Sequence, residues 1–253
     1  MIYGLYLSAT GVLANSYRQD VIANNLANAE TVGFKRDLAV FQEQRTEASL
    51  RGLSPAIHSN RVLEGIGGGI KVAPTFVDHS HGELEQTGNP LDVAIQGSGY
   101  FRVQDQNETR LTRDGRFTVN GQGYLALAGG GQMVLDDKGS PIKLPPGGVS
   151  SIERDGAVNQ NGQMVARVGL FDVPQDAKLT KRGDAMFAYA QTKPLRPADG
   201  VLRSGFVERS NAEPTNELTA LLDAQRQLEA NANLIRYQDQ TLGRLVNDVG
   251  KIG

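Results

Sequence analysis

Residues 211–253, NAEPTNELTALLDAQRQLEANANLIRYQDQTLGRLVNDVGKIG, decide the architecture. Stepping by three and four from Leu218 gives Leu221, Gln225, Leu228, Ala232, Ile235, Asp239, Leu242, Val246 and Val249. Nearly every step lands on an apolar or small residue, and the alternation holds for about five heptads, the pattern of a coiled-coil seam. Asp223, Arg226, Gln227, Glu229, Asn233, Arg236 and Arg244 make the polar flanks. Asn211 and Thr215 are placed to cap the start, and Pro214 suits a first turn. No Gly or Pro then intervenes before Gly243, so the stretch is expected to be a rod roughly 50 Å long. A single apolar stripe on an isolated helix stays wet, so this helix needs a partner.

The opposite end supplies a second amphipathic helix over residues 1–28. Ile2, Leu5, Ala9, Val12, Ser16, Ala23 and Leu26 share one stripe, widened by Leu13 and Ile22. Its partner is either the C-terminal seam, which would close the chain on itself, or further copies of the chain. The helix leaves through Asn24-Asn25-Leu26-Ala27-Asn28 and reaches Gly33-Phe34-Lys35-Arg36. Asparagine ends helices because its short amide bonds nearby backbone. Gly33 is free to take a positive φ, and Phe34 offers an anchor beyond the turn. The same three amides could instead bond neighbouring copies.

Between these ends the composition changes. The chain holds 30 glycines, most of them between residues 52 and 205, which marks tight turns between short strands. Residues 37–89 read as an extended, irregular connecting segment, with Ile66-Gly67-Gly68-Gly69-Ile70 as a hinge or turn. Residues 90–208 read as all-β. Leu91–Ile95, Tyr100–Val103, Phe117–Val119, Tyr124–Leu127, Met133–Leu135, Ile142–Leu144, Met164–Phe171, Met186–Ala190 and Phe206–Val207 are the β-prone runs. Asp114-Gly115, Asn120-Gly121, Gly129-Gly130-Gly131, Asp155-Gly156 and Asn161-Gly162 punctuate them. The expected class is α+β: N- and C-terminal helices forming a coiled-coil-type domain (1–36 and 210–253), with an inserted all-β central domain (90–209).

The chemistry is thin. With 253 residues, a net charge of −2 and no cysteine, the chain has no electrostatic lure for nucleic acid and no disulfide or thiolate chemistry. No run is long enough to insert in a membrane, and the N-terminus lacks the basic start of a cleaved secretory signal. His79 and His81 around Ser80 match no common metal spacing. Gly65 to Ile70 and Gly97-Ser98-Gly99 lack the remaining parts of nucleotide loops. Asp92, Asp136 and Asp137 read as turn caps. Arg110, Arg113 and Arg116 are too few for a nucleic-acid patch and are better read as intersubunit salt-bridge partners. No catalytic residue, cofactor or metal site is expected. A β-domain binding module on a coiled-coil stalk would share the helices but call for an aromatic-rich surface, and only 6% of residues are aromatic.

Three blocks carry a resemblance. Ala23-Asn24-Asn25-Leu26-Ala27-Asn28 with Gly33-Phe34-Lys35-Arg36 resembles the N-terminal signature of the bacterial flagellar rod and hook protein family. Gln86 to Phe101, followed by Thr112-Arg113-Asp114-Gly115-Arg116-Phe117, resembles its central block. Ser210-Asn211 through Leu221 and Gln225-Arg226 to Leu242 resembles its C-terminal helix. The long 37–85 segment is similar to that of the distal member of the rod, while the similar-sized proximal member and a hook-type subunit remain open. The resemblance implies a non-enzymatic subunit that polymerises helically into the axle of the basal body. It implies export without a cleaved signal, and ends that order on assembly. Its partners would be copies of itself, neighbouring rod and hook subunits and the surrounding periplasmic ring proteins. Leu5, Val12, Asn24, Asn25, Asn28, Phe34, Leu221, Leu228, Ile235 and Leu242 are the assembly residues this reading selects.

Overall fold

The computed structural model describes residues 2–45, 68–106, 108–174, 179–183, 185–189 and 194–249. The fold is α+β, with a helix at each end and a β-rich middle. The chain divides into two units, one formed by Met1–Ala27, Asp37–Asp78 and Glu213–Gly253, the other by Asn28–Arg36 and His79–Ala212.

In the first unit, helix α1 (Ile2–Ala27) packs against helix α2 (Pro214–Val249). Proline opens α2 because its missing N–H costs nothing there, and Glu217 in the first turn complements the helix dipole. The expected cap is different: the Asn211 Oδ1 accepts the Arg36 N–H at 2.7 Å. At 36 residues α2 is about 54 Å long.

The two helices run antiparallel and in step. A Cβ added at Gly4 would lie 2.9 Å from the Gln238 Nε2, and one at Gly11 would lie 3.1 Å from the Asn231 Nδ2. Further along, the Asn25 Nδ2 donates to the Glu217 carboxylate at 3.4 Å. As α1 advances by whole heptads, α2 retreats by the same amount. On α2 the less exposed residues recur at Glu217, Leu221, Ala224, Leu228, Asn231, Ile235, Gln238 and Leu242. The leucine half of the expected seam (Leu221, Leu228, Ile235, Leu242) lies on this line. The other half does not, since Leu218 is 50% exposed and Gln225 and Asp239 are also exposed. On α1 the correction is larger. Gly4, Gly11 and Asn25 meet α2, with Ala14, Val21 and the expected Ile22 buried on the same helix, whereas Leu5, Ala9, Val12 and Ser16 of the expected stripe are only half-buried. Close approach of two backbones favours small residues, and a search for apolar periodicity passes over them.

Strands β1 (Asp37–Glu43) and β2 (Ile70–Val77) complete this unit as an antiparallel pair, with Leu38 opposite Phe76 and Phe41 opposite Val72. The register shifts between Leu38 and Val40, next to Pro74 on β2, where a residue without an N–H is tolerated. Of the glycine turn at 66–70, Ile66 and Gly67 lie outside the described residues. Gly69 takes φ +99 beside Tyr6 and Thr10.

The second unit is antiparallel throughout. One sheet runs β14 (Leu179–Lys181), β15 (Met186–Tyr189), β6 (Glu108–Thr112), β5 (Tyr100–Asp105), β9 (Met133–Val134), β8 (Leu125–Leu127) and β7 (Phe117–Val119). Strand β13 (Leu170–Asp172) attaches to this sheet by pairing with β5 and in turn pairs with β16 (Arg196–Pro197). A second sheet is β10 (Ser150–Ile152), β11 (Ala157–Gln160) and β12 (Gln163–Arg167). Two pairs finish the unit: β3 (Leu84–Gln86) with β18 (Phe206–Glu208), and β4 (Val93–Gln96) with β17 (Val201–Ser204). The run Met164–Phe171 is therefore two strands, broken at Val168-Gly169, and Ile142–Leu144 is tied only by isolated bridges. The core gathers Phe101, Val103, Phe117, Leu125, Val134, Ile142, Leu144, Ile152 and Val158, with the Phe101 and Phe117 rings edge to face at 5.1 Å.

Candidate assembly interface

The signature Gly33-Phe34-Lys35-Arg36 is built into the second unit. Gly33 has φ +70, and a Cβ there would run into the backbone of Arg113 and Asp114, so only glycine fits. Its N–H donates to the Glu208 carbonyl at 2.8 Å. Phe34 is buried, with the Lys181 ammonium 3.6 Å from its ring centroid, and that ammonium also donates to the Lys35 carbonyl at 2.7 Å.

Lys35 is the largest fully buried side chain among the described residues. Its ammonium donates to the Glu208 carboxylate at 2.6 Å and to the Ser80 carbonyl at 2.7 Å. Glu208, fully buried, also accepts from the Arg113 Nη1 at 3.2 Å and the Gly82 N–H at 3.1 Å. Burial pushes the Glu208 carboxyl up, but Lys35, Arg113 and the Gly82 amide outweigh it and hold it below the usual carboxylate range. Arg113 in turn donates to the Gly97 carbonyl at 2.9 Å and lies 5.1 Å from the Tyr100 ring centroid. Burial raises the Tyr100 hydroxyl to about 12, against the opposing pull of Arg113. The structure thus ties together residues 33–36, 80–82, 113 and 208, distant in sequence.

This corrects the reading of the arginines. Arg113 is 4% exposed and bonded inside the chain, Arg116 pairs with Asp114 at 2.8 Å, and Arg110 pairs with Glu108. Asp92 and Asp136 are turn caps, accepting from Thr87 and Asn89 and from the Lys138 and Ser140 amides respectively. His79 and His81 part company: His79 meets the Tyr100 hydroxyl at 2.9 Å, and His81 faces Arg113 at 3.4 Å. Among the described residues no group of three or more His, Cys, Asp or Glu is placed to hold a metal ion.

The selected assembly residues fall into three settings. Asn25, 2% exposed, spends its amide on the Asp37 N–H and carbonyl (both 2.9 Å) and on Glu217, all within its own chain. Asn24 is exposed, and Asn28 is half-buried with the Thr31 hydroxyl 3.3 Å from its Oδ1. Leu221, Leu228, Ile235 and Leu242 lie on the seam side of α2, whereas Leu5 and Val12 stand off the seam and stay half-buried. Sequence reasoning put Leu218 in the seam and passed over Leu222, Leu234 and Tyr237, yet all four are exposed. Leu218, Leu222 and Leu234 are each 50% exposed and Tyr237 is 66% exposed. These apolar side chains remain open on α2 after α1 has packed against it.

Paired terminal helices with apolar residues left open, and a separate unit of antiparallel sheets, are the make-up of an assembling structural subunit. Family models match in three places: the flagella basal body rod protein at residues 5–35, the flagellar hook protein FlgE/F/G D1 domain at 94–166, and the flagellar basal body rod FlgEFG protein C-terminal region at 203–248. The flagellar basal-body rod protein FlgF of Mesorhizobium japonicum is 33% identical over 249 residues, covering 97% of each chain. That of Caulobacter vibrioides is 35% identical over 98% of each. The flagellar basal-body rod protein FlgG of Bacillus subtilis is 31% identical over 98% of this chain and 99% of its own. The chain belongs to the flagellar basal-body rod protein family and is a structural subunit of the rod. That family resides in the basal body, and no helix among the described residues is long and apolar enough to cross a membrane.

Proposed function

We propose that this chain polymerises helically into the flagellar axle and passes motor torque to the hook through contacts between subunits, without catalysis or a cofactor. The observation that carries the reading is the apolar surface of α2 left open after α1 has packed: Leu218, Leu222, Leu234 and Tyr237, between 50% and 66% exposed. Leu5 and Val12, half-buried on α1, would add to this contact. Neighbouring copies and adjacent rod and hook subunits would cover both. The heptad spacing from Glu217 to Leu242 supports a coiled-coil pairing of α1 with α2 inside each chain. Relatives named FlgF and FlgG cover 97% and 98% of the chain, at 33% and 31% identity, and the length of segment 37–85 is the feature that favours a distal position. The surrounding periplasmic ring proteins would meet the outer wall, and the subunit would leave the cell by the flagellar export route without signal cleavage. Complementation tests the reading. Removal of residues 211–253 should abolish motility in a strain lacking the native gene, and a motile strain would overturn it.

A further inference from the structure

Glycine inside a helix is less favourable than alanine. Yet Gly4 and Gly11 sit one heptad apart on the face of α1 that meets α2, and each has a primary amide opposite it. The Gln238 amide lies 2.9 Å from where a Gly4 methyl would be, and the Asn231 amide 3.1 Å from a Gly11 methyl, so the amides fill the space the glycines leave. Two heptads beyond Gly11, Asn25 and Glu217, both buried, face each other at 3.4 Å. The Gln238 Oε1 is buried with no hydrogen-bond partner among the described residues, so this amide weakens the helix pair that it shapes.

We propose that these three layers, Gly4/Gln238, Gly11/Asn231 and Asn25/Glu217, are a register key that lets α1 seat on α2 in one antiparallel alignment only. The key belongs to the single chain and does not depend on the polymer. Apolar seam residues repeating every heptad cannot tell one alignment from the next, whereas unique polar or small layers can, at a cost in stability. Slipping α1 by one heptad in one direction sets Arg18 against Asn231 and moves Asn25 from Glu217 to Ala224. The opposite slip leaves Gly11 facing Ala224, with a hole between, and moves Asn25 to Ser210, before α2 begins. Either slip shifts the outward residues of one helix by about 10 Å along the other, which would misplace every contact of a repeating assembly.

The chain has no cysteine, so engineered pairs report alignment without background. Ala14→Cys with Leu228→Cys marks the observed alignment. Ala14→Cys with Ile235→Cys, and with Leu221→Cys, mark the two slips. In the purified full chain under mild oxidation, the first pair should close within the chain at least about tenfold faster than either slip pair. Replacing the key by an apolar one (Gly4→Ala, Gly11→Ala, Asn231→Leu, Gln238→Leu) should bring the slip pairs to within about threefold of the first, with helix content retained. A second background, Asn25→Leu with Glu217→Leu, leaves the close approaches intact and should also raise slipped closure. Slip pairs that close as fast in the unaltered key, or that stay slow in both altered ones, would overturn the proposal.

Discussion

Replacing Lys35 by Met tests the buried charge cluster most sharply. The substitution keeps the unbranched apolar stem, one atom short of the Lys35 Nζ, and removes one of the two cations bonded to the fully buried Glu208. Breaking a buried ion pair costs about 3–5 kcal/mol, because the orphaned partner stays out of water. Arg113 and the Gly82 N–H remain on Glu208, which sets the expected loss near the lower end, about 3 kcal/mol. With a urea dependence of about 1–3 kcal/mol per molar, the unfolding midpoint should fall by about 1–3 M. The chain has seven tyrosines and no tryptophan, and Tyr100 lies against Arg113, so intrinsic tyrosine fluorescence follows the melt. Adding Glu208→Gln to Lys35→Met should recover part of the loss, since a neutral amide is cheaper to bury than an unpaired carboxylate. A midpoint for Lys35→Met within about 0.3 M of the unaltered chain would refute the claim that Lys35 stabilises this cluster.

The same cluster makes stability pH-dependent. Because the folded Glu208 carboxyl is held low, its contribution is fully present above the ordinary carboxylate pKa of about 4.3 and is lost as pH falls through the lower folded value. Urea midpoints measured across acidic pH should therefore drop less steeply in Glu208→Gln than in the unaltered chain. Gly33→Ala would force a methyl into the Asp114 backbone at φ +70 and should cost at least about 1–3 kcal/mol in the same melt. Asn25→Ala would strip partners from the Asp37 N–H and carbonyl and from Glu217, a loss of about 1–3 kcal/mol read as a lower thermal midpoint of the helical signal.

How much of this was legible in the sequence differs element by element. Helix α2 was readable almost to its ends, because Pro214 and a long unbroken heptad pattern are local signals. The side on which α1 packs was not. Its seam carries Gly4, Gly11, Ala14 and Asn25, chosen for closeness and hydrogen bonding, so a hydrophobic stripe leads to the wrong face. Short strands bounded by Asn-Gly and Asp-Gly turns were found where β-branched or aromatic residues alternate. Strand β6 and strands β10 and β11 were missed because polar residues interrupt their apolar positions. Phe34 was readable as an anchor beyond the Gly33 turn, whereas what it packs against was not. Nothing local singles out Glu208; its burial is intelligible only once Lys35, 173 residues away in sequence, is brought to it. Arg113 was noticed for its spacing and then given to the wrong partner, since spacing says nothing of burial.

The central claim is that the open apolar face of α2 is covered by another copy in the assembled rod. A photo-reactive label on a single cysteine, placed in turn by Leu222→Cys and Tyr237→Cys in this cysteine-free chain, measures that directly. In purified rods both labels are expected to capture a second chain, and in dilute monomer neither should. Rods that assemble normally while neither label captures any neighbouring chain would contradict the account.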